Sequence, residues 1–137
     1  MKAKSAKRGF RGYVFSRPFM GLRQPHHIQN VVIRDYCSNR NMEYLLSATE
    51  YAIPESFMLL YQTLDELDLL EGIVAYSLFL LPEQQKLRQD IYQRVIEKNR
   101  TMHFAVEGLV LEDFKSCERI EEIWQVALAL PNCPQKI

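Results

Sequence analysis

A chain of 137 residues with 47% hydrophobic and 25% charged side chains has the length and composition of one globular domain with a real core. Seventeen basic residues balance seventeen acidic ones, so no global field favours nucleic acid. The longest apolar run, residues 73–81, falls short of the roughly 18 residues of a membrane span, and the basic N-terminus lacks the apolar stretch of a signal peptide.

The charge is unevenly spread. Lys2, Lys4, Lys7, Arg8 and Arg11 lie in the first eleven residues with no acid among them, which leaves the remainder net acidic. Residues 1–10 are therefore expected to form a flexible basic arm, 11–130 a single domain and 131–137 a tail. Cys37, Cys117 and Cys133 show no C-x-x-C spacing and are odd in number. They read as reduced thiols of a cytoplasmic protein, with no metal and no cofactor implied.

In chain order, residues 11–15 carry Tyr, Val and Phe and read as a first strand. Pro18 and Gly21 mark a loop, and Pro25 suits the first turn of a helix whose Ile28, Val31, Val32 and Tyr36 recur at helical spacing. Residues 43–51 read as a second strand. Pro54 opens a second helix lined by Phe57, Leu60, Tyr61 and Leu64. Asp65, Glu66 and Asp68 crowd its C-terminal end, which the macrodipole disfavours, so a solvated, loosely ended helix is expected.

Residues 72–78 are a third strand, continuously apolar as a strand covered on both faces should be. Pro82 opens a third helix with Leu87, Ile91 and Val95 inward. Residues 101–106 are a fourth strand, broken by Glu107 and Gly108, after which residues 109–111 extend it or pair nearby. A fourth helix runs to Leu130 with a stripe of Ile120, Ile123, Trp124, Ala127 and Leu128.

Strands alternating with helices through short loops imply right-handed crossovers. The expected fold is α/β: a single doubly wound, mainly parallel four-stranded sheet, helices on both faces, strand order 2-1-3-4. Ligands of such sheets bind outside the carboxyl ends of the strands, at the point where the strand order reverses. Here that edge gathers Ser16, Arg17, Thr49, Glu50, Tyr76, Ser77 and Glu107, and the first loop adds Arg23, Gln24, His26 and His27.

Arg17 and Arg23 suit a phosphate or carboxylate by bidentate pairing. Gln24 and His26 would stand beside them at the helix start, and Tyr76 and Ser77 would hydrogen-bond a sugar. Glu107 or Glu50 is the candidate acid or base, and Ser16 the candidate nucleophile, though no base is fixed beside it by spacing. His103, inside the fourth strand, reads as a core or sheet-face residue. The chain has no G-x-G-x-x-G after its first strand and no Walker A sequence, which weighs against dinucleotide or ATP chemistry.

The runs RGYVFSRPFMG (11–21), EYLLSATEYA (43–52), AYSLFLLP (75–82) and HFAVEGL (103–109) resemble the small "sporadic carbohydrate cluster" family. That resemblance covers most of the chain after Arg8 and implies a place in bacterial surface-polysaccharide biosynthesis without naming a reaction. A remoter likeness is to the catalytic domain of serine recombinases (resolvases). Gly12 and Tyr13 begin the first strand as in their G-Y-x-R-V-S motif, and QPHHIQ (24–29) is similar to the start of their first helix.

The departures from the recombinases are large. Phe15 stands where a catalytic arginine would be, and Arg17 occupies the serine register. Residues 77–82 replace the L-D-R-L-x-R motif with neither Asp nor Arg. The likeness thus implies the fold and not the strand-exchange reaction, which needs several arginines to stabilise its charge.

The leading expectation is a protein that binds an anionic small-molecule sugar intermediate, with or without catalysis. The second is a non-catalytic homo-oligomeric (dimeric) interaction module, because Leu78, Phe79, Leu80 and Leu81 need burial somewhere. Nucleic-acid binding through the basic arm is the least favoured.

Overall fold

Phe, Tyr, Val and Phe side chains directed to alternate faces make β1 (Phe10–Phe15) an interior strand buried on both faces. The computed structural model describes residues 9–15, 25–50 and 57–129. The expected arm and tail lie outside the described residues almost entirely. From β1 the chain runs through α1 (His26–Asn39), β2 (Tyr44–Glu50), α2 (Met58–Asp65), β3 (Gly72–Ala75), α3 (Gln85–Glu97), β4 (Thr101–Phe104), β5 (Leu109–Leu111) and α4 (Phe114–Ala129). Single 3-10 turns occupy Leu67–Leu69 and Leu78–Leu80.

The sheet order is β2-β1-β3-β4-β5, with β1 to β4 parallel and β5 antiparallel to β4. The expected α/β class holds, but the sheet has five strands rather than four. Gly108, at φ +67°, lets the chain reverse sharply after β4, and its N–H bonds the Phe104 carbonyl at 2.8 Å. Leu109 then pairs with Phe104, and Leu111 with Met102.

The period of two sorts the strand residues between layers. Tyr13, Phe15, Ile73, Ala75, Met102, Phe104 and Leu111 share a core with α2, α3 and α4. Phe10, Val14 and Val74 form a second core with Ile33, Tyr36 and Cys37 of α1. From β1 the chain steps outward to β2, then back across β1 to β3 and on to β4. Right-handed crossovers in opposite directions must use opposite faces, which places α1 alone on its side.

Several helix faces differ from the pattern. In α1 the buried residues are Gln29, Ile33, Tyr36 and Cys37, while Ile28 and Val31 are exposed. The Gln29 amide binds the end of β1, and that polar anchor sets the helix rotation. In α3 the fully buried residues include Arg88 and Tyr92 beside Ile91 and Val95, and Leu87 is only half-buried. In α4 Leu128 points outward and Cys117 inward.

The third strand stops at Ala75, because Ser77 caps the Leu78–Leu80 turn. Leu78, Leu80 and Leu81 fall into the main core, with Phe79 packed against it. The apolar run is thus covered by the chain's own helices and presents no surface to a partner. The acidic end of α2 is solvated, as expected, and is met by exposed cations. Arg94 pairs with Asp65, Lys98 with Asp68 and Arg11 with Glu66, and Leu67 plugs the following turn into the core.

Arg88 is the largest fully buried side chain. Its Nε and Nη2 bind Glu121 at 2.7 and 2.8 Å, and Nη1 donates to the Pro82 and Glu83 carbonyls at 3.2 and 2.6 Å. Its guanidinium lies 4.5 Å from the Trp124 ring centroid, and the Tyr92 hydroxyl also donates to Glu121. One cation thereby ties α3, α4 and the loop after the Leu78–Leu80 turn together.

On the α1 face, His103 lies between the Tyr36 hydroxyl (2.6 Å from Nδ1) and the Thr101 hydroxyl (3.2 Å from Nε2), with Phe10 edge-on. Burial first, then the Arg40 charge, pulls its pKa down to about 4. The unfolded chain takes up this proton near the ordinary value and the folded chain does not. The stabilisation is therefore complete above about pH 6.5 and is lost as pH falls toward 4. Urea unfolding of the wild type should lose on the order of 2 kcal/mol across that window beyond the loss shown by His103→Gln. Equal slopes for the two proteins would contradict the assignment.

β2 carries a bulge. Arg11 pairs with Leu45 but Tyr13 with Ala48, so Leu46 and Ser47 together oppose Gly12. The Ser47 hydroxyl, held by Asn30 at 2.6 Å and Tyr44 at 2.8 Å, would stand 2.1 Å from a Cβ at position 12. Gly12→Ala is expected to cost about 1–3 kcal/mol by overpacking, read as a lowered urea midpoint at unchanged m-value.

Candidate functional site at the carboxyl edge of the sheet

The chain leaves β1 for one face of the sheet and β3 for the other, since α1 and α3 belong to different cores. Such a divergence of two adjacent strands marks the edge at which ligands of open α/β sheets bind. Three of the expected site residues, His26, Tyr76 and Glu107, are half-buried at this edge.

The end of β1 is closed by a side chain. Gln29 of α1, fully buried, accepts the Phe15 N–H at 3.1 Å and donates to the Phe15 carbonyl at 2.7 Å. The amide thus acts as one more strand residue and fixes the first turn of α1 against the edge. His26 opens that helix. Its N-cap, Pro25, offers no side-chain bond, and no acid lies in the first turn.

β3 continues beyond its last ladder residue through main-chain bonds. The Tyr76 N–H reaches the Tyr13 carbonyl at 3.2 Å, and the Val106 N–H reaches the Tyr76 carbonyl at 2.9 Å. The Tyr76 side chain packs against both cores. Burial, then the Glu107 charge, raises its phenol above the ordinary value, so it stays a neutral hydroxyl.

Glu107 follows β4. One carboxylate oxygen accepts the Ser77 hydroxyl at 2.7 Å and the other the Leu78 N–H at 3.0 Å. Ser77 in turn accepts the Phe79 N–H at 3.1 Å and is only 2% exposed. Ser77 therefore holds Glu107 in place, and its hydroxyl is engaged with the chain itself.

Glu50, 3% exposed, meets a different demand. Its carboxylate accepts the Tyr13 hydroxyl at 3.0 Å and the N–H groups of Leu59 and Leu60 at 3.1 and 3.2 Å, neutralising the start of α2. Glu50 and Glu107 leave from strands three spacings, or about 14 Å, apart. Each is turned into its own helical turn. The structure does not bring them together as the pair that flanks a glycosidic bond at about 5–9.5 Å.

Ser16, Arg17, Arg23 and Gln24 lie outside the described residues. Gln29 was missed in the sequence pattern because a glutamine does not count toward an apolar stripe. Admitted to it, residues 29, 33, 36 and 37 form a regular i, i+4, i+7, i+8 face. Among the described residues no group of three His, Cys, Asp or Glu side chains is placed to hold a metal ion. Cys37 and Cys117 are free and buried, and burial leads the causes that push the Cys117 thiol up to about 11, far from a reactive thiolate. Among the described residues no helix is long and apolar enough to cross a membrane.

No family model, no curated protein and no solved structure matches this chain.

Removing the amide that closes β1 tests how the edge is built. Gln29→Leu removes two buried hydrogen bonds to the Phe15 backbone and is expected to cost about 2–4 kcal/mol. Amide exchange should show the added opening concentrated at Phe15 and the first turn of α1. Uniform loss of protection across the sheet would instead give Gln29 a global packing role.

Proposed function

We propose that this is a cytoplasmic protein of bacterial surface-carbohydrate biosynthesis that binds an anionic sugar intermediate, a sugar phosphate or nucleotide sugar, at the carboxyl ends of β1 and β3. The observation that carries the reading is the departure of the chain from these two strands to opposite faces, beneath a half-buried rim of Tyr76, Glu107 and His26. Arg17 and Arg23 of the connecting loop supply the cationic groups that such a ligand needs. The pathway rests on the resemblance of four sequence runs to the carbohydrate-cluster family.

The reading is one of binding. Glu50 is sealed by the start of α2 and acts as a positioning residue, and Glu107 is the carboxylate left at the rim. The oligomeric reading has lost its main support, since Leu78, Leu80 and Leu81 are core residues.

Calorimetry against a panel of sugar phosphates and nucleotide sugars tests the proposal. At least one member should bind, and Arg17→Ala should weaken it about tenfold or more, the worth of a charge-assisted hydrogen bond. Absence of binding across the panel, or binding indifferent to Arg17, would refute it.

A further inference from the structure

Resting on that reading, we propose that Glu107 is a fixed hydroxyl acceptor: the end of the ligand lodged beside Tyr76 and Glu107 is the uncharged, hydroxyl-bearing face of the sugar ring, with the anionic group turned away from this carboxylate. The argument begins with charge. Among the described residues Glu107 has no ion pair, although it is half-buried. A half-buried carboxylate without a counter-cation repels a phosphate placed beside it. It attracts hydrogen-bond donors, because a hydroxyl donating to an ionised oxygen makes one of the stronger neutral-to-charged contacts.

The second step is geometry. Two other polar side chains of the interior are filled by the chain. Arg88 has a bidentate carboxylate and two carbonyls, and His103 has a hydroxyl at each ring nitrogen. Glu107 is only half filled. Its two oxygens offer about four acceptor positions, and the chain uses one on each oxygen, from Ser77 and Leu78. Those two bonds also hold the carboxylate in a single orientation, so a ligand need not immobilise it on binding. Two oxygens side by side, each with a remaining acceptor position, match a pair of adjacent ring hydroxyls.

Ser77 is thereby assigned a role distinct from ligand contact. It is a positioning residue: its hydroxyl orients Glu107 and caps the Leu78–Leu80 turn at the same time.

The test uses the full chain with three probes: inorganic phosphate, a neutral methyl hexoside, and hexose phosphates with their singly deoxygenated analogues. Calorimetry should show that Glu107→Gln weakens the best hexose phosphate tenfold or more while leaving inorganic phosphate unchanged. Ser77→Ala should weaken the hexose phosphate by a smaller factor. Deoxy analogues on the wild-type protein need no variant to fold. Removal of one of two adjacent hydroxyls should cost about as much as Glu107→Gln, and removal of the others little.

A hexose phosphate that binds equally well to wild type and Glu107→Gln but fails with Arg17→Ala would overturn this assignment and leave the anionic-ligand reading standing. The methyl hexoside binding through Glu107 where no anionic probe binds would support the assignment and overturn that reading. Tenfold preference for an amino sugar over its hydroxyl counterpart would overturn it in favour of a cation. Failure of every probe would overturn both.

Discussion

A buried strand end leaves backbone N–H and C=O groups that must find partners, and this constraint organises the carboxyl edge of the sheet. β1 is closed by the amide of Gln29. The carboxylate of Glu50, last residue of β2, turns to the start of α2. The turn after β3 is met by Ser77 and Glu107. Each solution comes from a side chain of a neighbouring element, so each also fixes where the following helix begins. Placement of α1 and α2 and satisfaction of the edge are one problem.

The same edge explains why two glutamates of similar sequence context end with different roles. Glu50 ends β2 and Glu107 follows β4, and both accept main-chain N–H groups. Glu50 lies under α2, against the Tyr13 hydroxyl, and is closed to solvent. Glu107 stands on the turn between β4 and β5 and is only half-buried. Burial separates a carboxylate that builds the fold from one that is available to a ligand.

Much of the layout was legible in the sequence. The alternation of apolar runs with helical stripes, punctuated by Pro25, Pro82 and Gly108, predicts the parallel order β2-β1-β3-β4, which the structure contains. The fifth strand was left open in the sequence, because three residues are too few for a period of two to declare itself. Residues of mixed character are the ones such a pattern does not place. Gln29 and Arg88 are polar side chains at core positions, and an apolar stripe says nothing of either. Their burial depends on partners distant in sequence, Phe15 and Glu121, that no local pattern reveals. Topology points to this edge, but which of its carboxylates is the more exposed depends on where α2 starts.

Arg88 extends this logic away from the edge. Its ion pair with Glu121 is buried, and such a pair commonly contributes little net stability because desolvation offsets the attraction. Its geometry nonetheless fixes one arrangement of three segments: the Pro82–Glu83 carbonyls, α3 and α4. Phe79, in the turn that Glu107 and Ser77 cap, packs edge-on against Trp124 of α4, and Trp124 lies against the Arg88 guanidinium. The turn carrying the Leu78 N–H is therefore held at both ends, by Glu107 at its start and by the Arg88 cluster beyond it. A carboxylate can stay in one orientation only if the groups that orient it do not move. The buried cation is in this sense part of what keeps this edge of the sheet rigid.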